Sequence, residues 1–146
     1  MLDKASISFP YTKLAVKPFP GSKRQSIIYR PIIPVTITYK KKLVIFQTLI
    51  DSGADYNIFH GDIAAYLGIN LTKGSKKNIS GLSGGKITGY THKVHLKINH
   101  YHFPSEITFS NQIPNNALAV LGNKGFFDKF KVTFNLKELI INLKRN

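Results

Sequence analysis

Apolar and polar residues alternate with a period of two over much of the chain. The alternation is clearest in residues 33–39, where every second residue is apolar, as in a strand with one buried face. An apolar-rich segment, 43–50, follows after three lysines at 40–42, which predicts a hairpin with the lysines at its tip. Residues 90–98 and 101–109 predict a second hairpin in the same way.

Shorter patterns extend this β-rich picture. Residues 132–134 and 138–143 predict a closing hairpin, and the wholly apolar run 117–121 predicts a short buried strand. Helical signals are confined to residues 61–67, closed by Gly68, and to residues 124–130. His60 is a candidate cap for the turn after Phe59.

The first 31 residues differ from the rest of the chain. They contain four prolines and little regular pattern, which predicts an extended N-terminal arm with one short edge strand at residues 6–9. Residues 32–146 then form the domain proper. The fold class predicted from these patterns is all-β, with one or two short helices. Phe126, Phe127, Phe130 and Phe134 are spaced as core residues.

Composition narrows the class of protein. A chain of 146 residues with 42% hydrophobic residues fits one domain with a real core. It has no cysteine, so a disulfide framework and a thiolate zinc site are excluded. It also has no apolar stretch of membrane-spanning length and no hydrophobic run near Met1. We therefore expect a cytoplasmic protein without a membrane partner.

The formal charge of +14 raises the question of a polyanionic partner. Most of the 21 basic residues are lysines spread along the whole chain, and arginine is the better residue for phosphate recognition. We therefore expect no nucleic-acid partner, although a basic nucleic-acid-binding β-barrel stays open as an alternative. Four of the five histidines fall between His92 and His102, but no nearby cysteine or carboxylate completes a metal site. We expect no metal and no cofactor.

The segment TLIDSGADYNIF, residues 48–59, carries the clearest chemical signal. It places Asp51 directly after three apolar or β-branched residues, although the chain has only seven acidic residues. A carboxylate at the end of a hydrophobic strand is costly unless it is hydrogen-bonded or chemically useful. One interpretation is an Asx turn at a strand end, for which Gly53 permits the tight backbone. The alternative is a catalytic acid.

Three motifs in order favour the catalytic interpretation. Asp51, Ser52, Gly53, Ala54 and Asp55 resemble the active-site signature of aspartic proteases, two apolar residues followed by Asp-Thr/Ser-Gly-Ala. A glycine-rich stretch about 30 residues later resembles the flap of that family: Gly81, Leu82, Ser83, Gly84, Gly85, Lys86 and Ile87. The run Val120, Leu121 and Gly122 resembles its second apolar–apolar–Gly element. The order and spacing, over about residues 30–145, resemble the retropepsin-like aspartic proteases.

The resemblance implies a fold, a partner and a mechanism. It implies a closed barrel lobe that forms a two-fold homodimer, because the chain carries a single Asp-Ser-Gly and the reaction needs two carboxyls. One carboxylate activates a water while the other, protonated, donates to the carbonyl oxygen of a peptide bond. No metal and no cofactor is implied. The substrate would be a peptide or protein.

The resemblance also assigns roles around Asp51. Ser52 would brace the two loops across the dimer axis, and Gly53 would offer backbone carbonyls to the substrate. Ala54 and Asp55 would line the site, and Asp55 would contact the substrate backbone or hold the loop. The flap tip, Ser83-Gly84-Gly85, would close over the substrate.

One departure from the family pattern stands out. Retroviral members usually carry Arg after the second glycine, paired with the acid at the position of Asp55, whereas this chain has Asn123 and then Lys124. Lys124 could supply a point charge there but lacks the bidentate fork of arginine. A catalytically inactive dimerisation or binding module of the same fold therefore stays open as a second alternative.

Overall fold

The structure of the protein, a computed structural model, describes residues 6–81 and 84–146. Within these ranges lie twelve strands, one α-helix and one turn of 3-10 helix. The strands are β1 (Ser6–Pro10), β2 (Thr12–Val16), β3 (Ser26–Arg30), β4 (Ile32–Tyr39), β5 (Lys42–Ile50), β6 (Ile58–His60), β7 (Ser75–Ser80), β8 (Lys86–Ile98), β9 (Tyr101–Ser110), β10 (Ala119–Leu121), β11 (Phe130–Asn135) and β12 (Ile140–Arg145). The α-helix is α1 (Gly61–Tyr66), and the 3-10 turn is Leu71–Lys73.

Six of the strands close into a barrel. Their order is β4-β5-β10-β6-β9-β8, and β8 pairs back onto β4, with Ile37 opposite Leu96. Closure depends on the length of β8, which has 13 residues. Its C-terminal half pairs with β4, and its N-terminal half pairs with β7 instead. The β7–β8 hairpin therefore extends beyond the closed barrel.

Alternating apolar side chains fill much of the barrel interior. In β8, Val94, Leu96 and Ile98 are buried, whereas the intervening His95 and Lys97 are exposed. The largest fully buried side chains are Phe59, Phe103, Phe109, Phe126, Phe130, Ile33, Ile37, Leu96, Ile98, Ile107, Leu121 and Ile141. Full burial of such a side chain stabilises the fold by about 1.5–3 kcal/mol, so this core is the main source of stability.

The all-β prediction is confirmed, as are three of its hairpins and the first of its two helices. The hairpins β4–β5, β8–β9 and β11–β12 lie where the alternation placed them. The tip of the first hairpin falls at Lys40, which adopts a left-handed φ of 53°. Helix α1 begins after His60, whose Nδ1 accepts a hydrogen bond from the Asp62 amide at 3.0 Å, so the predicted cap is confirmed.

The chain ends build a second, three-stranded sheet of order β1-β12-β11. The short edge strand expected at residues 6–9 is therefore present, with Phe9 opposite Ile141. The β2–β3 hairpin was not predicted from sequence. The prolines that punctuate this region hid its alternation, in which Leu14 and Ile28 lie opposite each other and half-buried.

The helix predicted over residues 124–130 is wrong. This segment is a series of turns, and two of its amides, those of Phe127 and Asp128, bond five residues back, to the carbonyls of Gly122 and Asn123. Gly125 has a φ of +105°, which an α-helix does not accept. Phe126 and Phe130 are buried and Phe127 packs against the core, as predicted, but Phe134 is 40% exposed on the terminal sheet.

Candidate active site

Asp51 lies where β5 leaves the barrel. β5 runs parallel to β10, and the pairing continues one step beyond the strand because the Asp51 amide donates to the Leu121 carbonyl at 3.0 Å. Just before it, the buried Thr48 hydroxyl donates to the Ile33 carbonyl at 2.9 Å. The barrel wall therefore holds the backbone of Asp51 in place while its side chain is half-buried.

The loop after Asp51 is a tight turn held by the aspartate itself. The Gly53 amide donates to Asp51 Oδ1 at 2.9 Å, and the Ala54 amide donates to the Asp51 carbonyl at 3.1 Å. This is the Asx turn of the simpler interpretation. It occupies one carboxylate oxygen and leaves the acid half-exposed, so it is compatible with a chemical role. Ser52, Gly53 and Asp55 are exposed.

The second glycine element packs directly against this loop. The amide of Asn123 donates to the Ala54 carbonyl at 2.8 Å. A Cβ on Gly122 would lie 2.4 Å from the Tyr56 carbonyl oxygen and 2.7 Å from that of Ala54, so only glycine fits there without moving backbone. Leu121 is buried and Val120 is half-buried. The structure thus brings the first and third motifs together.

Asn57 links these elements and was missed from sequence. Its side chain is fully buried. Its Oδ1 accepts from the Gly122 amide at 2.9 Å, its Nδ2 donates to the Glu106 carbonyl at 3.0 Å, and its carbonyl accepts from the Thr108 amide at 2.8 Å. The available signal was a single amide residue between Tyr56 and Ile58, in the loop that leads into β6.

The glycine-rich stretch forms the end of the β7–β8 hairpin. Ile79 pairs with Ile87 and Ser80 with Lys86, after which the Gly81 amide donates to the Gly85 carbonyl at 3.2 Å. Gly84 has a φ of +76°, which glycine adopts without strain. The two remaining residues assigned to this stretch, Leu82 and Ser83, lie outside the described residues.

A cleft of about 400 Å³ separates the Asp51 loop from the β7–β8 hairpin. Its lining residues come from the loop, from β6 and β10, and from the hairpin: Asp51, Gly53, Ala54, Asp55, Tyr56, Ile58, Asn78, Ile79, Ser80, Gly81 and Val120. This lining combines the carboxylates of Asp51 and Asp55 with the apolar side chains of Ile58, Ile79 and Val120. A second cavity, of about 340 Å³, lies beside β9 and contains neither Asp51 nor any of the glycine-rich stretch.

Lys124 does not take the place of the arginine expected beside Asp55. Its ammonium lies 3.5 Å from Glu106 Oε2, and only its backbone amide bonds to the Asp55 carbonyl, at 2.9 Å. Among the described residues, the Asp55 carboxylate takes part in no ion pair and no hydrogen bond.

The histidines stay apart from this site. The rings of His95 and His102 lie 6.3 Å apart on the outer face of the β8–β9 hairpin, and His92 Nε2 lies 2.7 Å from the Leu71 carbonyl. Across residues 6–81 and 84–146, no three His, Asp or Glu side chains come close enough to hold a metal ion. No helix in these residues is long and apolar enough to cross a bilayer.

Two solved structures with this architecture are aspartic proteases. An inhibitor complex of EIAV protease matches with a TM-score of 0.50 and 24% identity, covering 64% of this chain and 82% of that one. A retropepsin-like aspartic protease from Rickettsia conorii matches with a TM-score of 0.59 and 15% identity, covering 96% of this chain and 93% of that one. No family model matches the chain, and no curated protein matches it. The chain therefore has the retropepsin-like fold.

Proposed function

We propose that the protein is an aspartic endopeptidase that acts as a homodimer. The observation that carries the proposal is the position of Asp51, which lies at the end of β5 and opens onto a peptide-sized cleft beneath a glycine-rich hairpin. The fold it shares with aspartic proteases supports the same reaction. Two copies are needed because the chain has one Asp-Ser-Gly turn and so supplies one such acid.

In the proposed reaction, the Asp51 carboxylates of two copies share one proton. Two like charges a few ångströms apart do not both ionise, which is the established behaviour of aspartic-protease dyads rather than a deduction from this chain. The ionised member takes a proton from a water molecule as that water attacks the peptide carbonyl carbon. The protonated member donates its proton to the carbonyl oxygen.

The neighbouring residues take supporting roles in this proposal. Ser52, exposed on the loop, braces it against the second copy. Gly53 and Ala54 present backbone groups to the extended substrate along the cleft. The β7–β8 hairpin, including Gly81, Gly84 and Gly85 with Lys86 and Ile87, acts as the flap that excludes water.

Removing the acid tests the proposal. Asp51→Asn keeps the size of the side chain and the acceptor for the Gly53 amide but cannot titrate. We expect cleavage of an unbiased peptide pool, read by mass spectrometry, to fall by about 10²–10⁴-fold. Asp62→Asn, at the exposed start of α1, is the matched control and should cleave as the wild type does.

A statin-containing peptide inhibitor separates the alternatives. Binding that Asp51→Asn weakens supports the dyad. Binding without any cleavage by the wild type would instead favour an inactive dimerisation or binding module. A protein that neither binds the inhibitor nor cleaves the peptide pool would favour the third alternative, a nucleic-acid partner, which the +14 charge suggests.

A further inference from the structure

The charge of the cleft is opposite to the charge of the chain. The chain has 21 basic and seven acidic residues, yet the residues that line the cleft include Asp51 and Asp55 and, among those described, no Lys, Arg or His. Lys86, in the hairpin assigned as the flap, is exposed and is not among the lining residues. The cleft is therefore an acidic site on a strongly basic protein.

Asp55 is the acid of the cleft that the proposed reaction does not use. Its carboxylate is exposed and makes no ion pair or hydrogen bond within the described part of the chain. Two lysines whose contacts lie next to Asp55, namely Lys124 and Lys77, are engaged with other groups. Lys124 pairs with Glu106 at 3.5 Å, and the Lys77 ammonium lies 5.9 Å from the centre of the Tyr56 ring, where it gains a cation–π contact.

We infer that Asp55 is a specificity residue that selects a cationic side chain, Lys or Arg, at a position of the substrate flanking the scissile bond. The inference rests on the proposed function, since it names the substrate class of the same cleft. The apolar wall, made by Ile58, Ile79 and Val120, takes the uncharged side chains on either side. In a two-fold dimer each half of the cleft contributes its own Asp55, so the preference occurs on both sides of the cut.

The net charge of +14 does not reverse this preference. Charges separated by more than about 8 Å are largely screened at physiological ionic strength, whereas a substrate ammonium at Asp55 is within contact distance. An exposed ion pair of this kind changes kcat/KM by about twofold to fivefold. The positive field of the whole chain slows the approach of any basic peptide. The contact with Asp55 favours the peptides that carry Lys or Arg at the selected position.

The test compares two fluorogenic peptides that are identical except for Lys or Gln at the position where the cleaved pool is richest in basic residues. For the wild type we expect kcat/KM to be about twofold to fivefold higher for the Lys peptide, and the ratio to shrink as salt is raised. In Asp55→Asn the ratio should fall to about one, and in Asp55→Glu it should be retained. Glu138→Gln, in the turn before β12, removes the same charge outside the cleft and should keep the wild-type ratio.

Binding separates this inference from the proposed function. Two statin-containing peptides that differ only by Lys or Gln report the preference of the cleft without catalysis. If the chain binds these peptides but cleaves nothing, the proposed function fails. The ratio of the two affinities still tests whether Asp55 selects a cationic side chain. A pool enriched in acidic residues, or a Lys-to-Gln ratio that Asp55→Asn leaves unchanged, would overturn the inference.

Discussion

At the scale of single residues, the site depends on one buried amide. Asn57 joins the Gly122 amide to the Glu106 carbonyl, and so ties the Asp51 loop to β9 and β10. Asn57→Ala would leave the buried Gly122 amide and the part-buried Glu106 carbonyl without the partner that Asn57 supplies. Each such group costs about 1–3 kcal/mol, so we expect the free energy of unfolding to fall by about 2–4 kcal/mol. Urea titration followed by circular dichroism measures it.

Asn116→Ala is the control for this prediction. Asn116 is exposed in the turn before β10, and its replacement should change the free energy of unfolding by less than about 0.5 kcal/mol. An Asn57→Ala protein as stable as the wild type would mean that water or backbone movement satisfies the two groups. In that case Asn57 would not be what positions the loop.

Residues of the candidate site could be predicted from sequence where they belong to a motif. Asp51 and Gly122 lay in motifs with a fixed order, and the structure brings their two segments into hydrogen-bonding contact. Asn57 could not be found in this way, because its partners, Glu106 and Gly122, are distant in sequence and meet it only in the fold. The pairing of Lys124 with Glu106 was hidden for the same reason.

At the scale of elements, the sequence predicted hairpins between neighbouring strands but not the pairing of strands that are distant in sequence. The β4–β5 and β8–β9 hairpins follow from alternation around a short turn, which sequence displays directly. Closure by the β4–β8 pairing joins residues some 60 positions apart, such as Thr36 and Lys97, and only the family resemblance suggested a closed barrel. The 124–130 segment misled because its apolar spacing suits a helix, while Gly125 at a φ of +105° prevents one.

The terminal strands give a prediction about self-processing. The family resemblance draws attention to two aromatic–proline bonds, Phe9–Pro10 and Phe19–Pro20. The first lies inside β1, with Phe9 opposite Ile141 and Pro10 opposite Ile140, whereas Phe19 lies outside any strand and is 63% exposed. A protease needs a free extended segment, so we expect any self-trimming to begin at Phe19–Pro20.

Mass spectrometry of concentrated protein after long incubation checks this order of cleavage. A chain beginning at Pro20 should appear first, and the Asp51→Asn protein should stay whole. A product that begins at Pro10 before any that begins at Pro20 would show that β1 detaches from β12 more readily than the pairing indicates. A wild-type chain that remains intact at several pH values would end the self-trimming hypothesis.

At the scale of the whole molecule, the proposed function makes activity a property of two chains. Asp51→Asn should leave the barrel intact, because the side chain is at the end of β5 and the Gly53 amide keeps an acceptor. Mixing wild type with an excess of this variant then forms heterodimers that contain a single Asp51. These heterodimers lack either the acid or the base and should be nearly inactive.

The dependence on mixing ratio is the decisive measurement. If the chains exchange freely, activity per total protein should fall as the square of the wild-type fraction, since only dimers of two wild-type chains are active. A monomeric enzyme that paired Asp51 with another acid of its own chain would lose activity in simple proportion to that fraction. Exchange has to be verified by native mass spectrometry after joint refolding, because a tight dimer does not reshuffle during an assay. A linear curve after verified exchange would mean that one chain holds a complete active site, and the two-chain dyad would have to be given up.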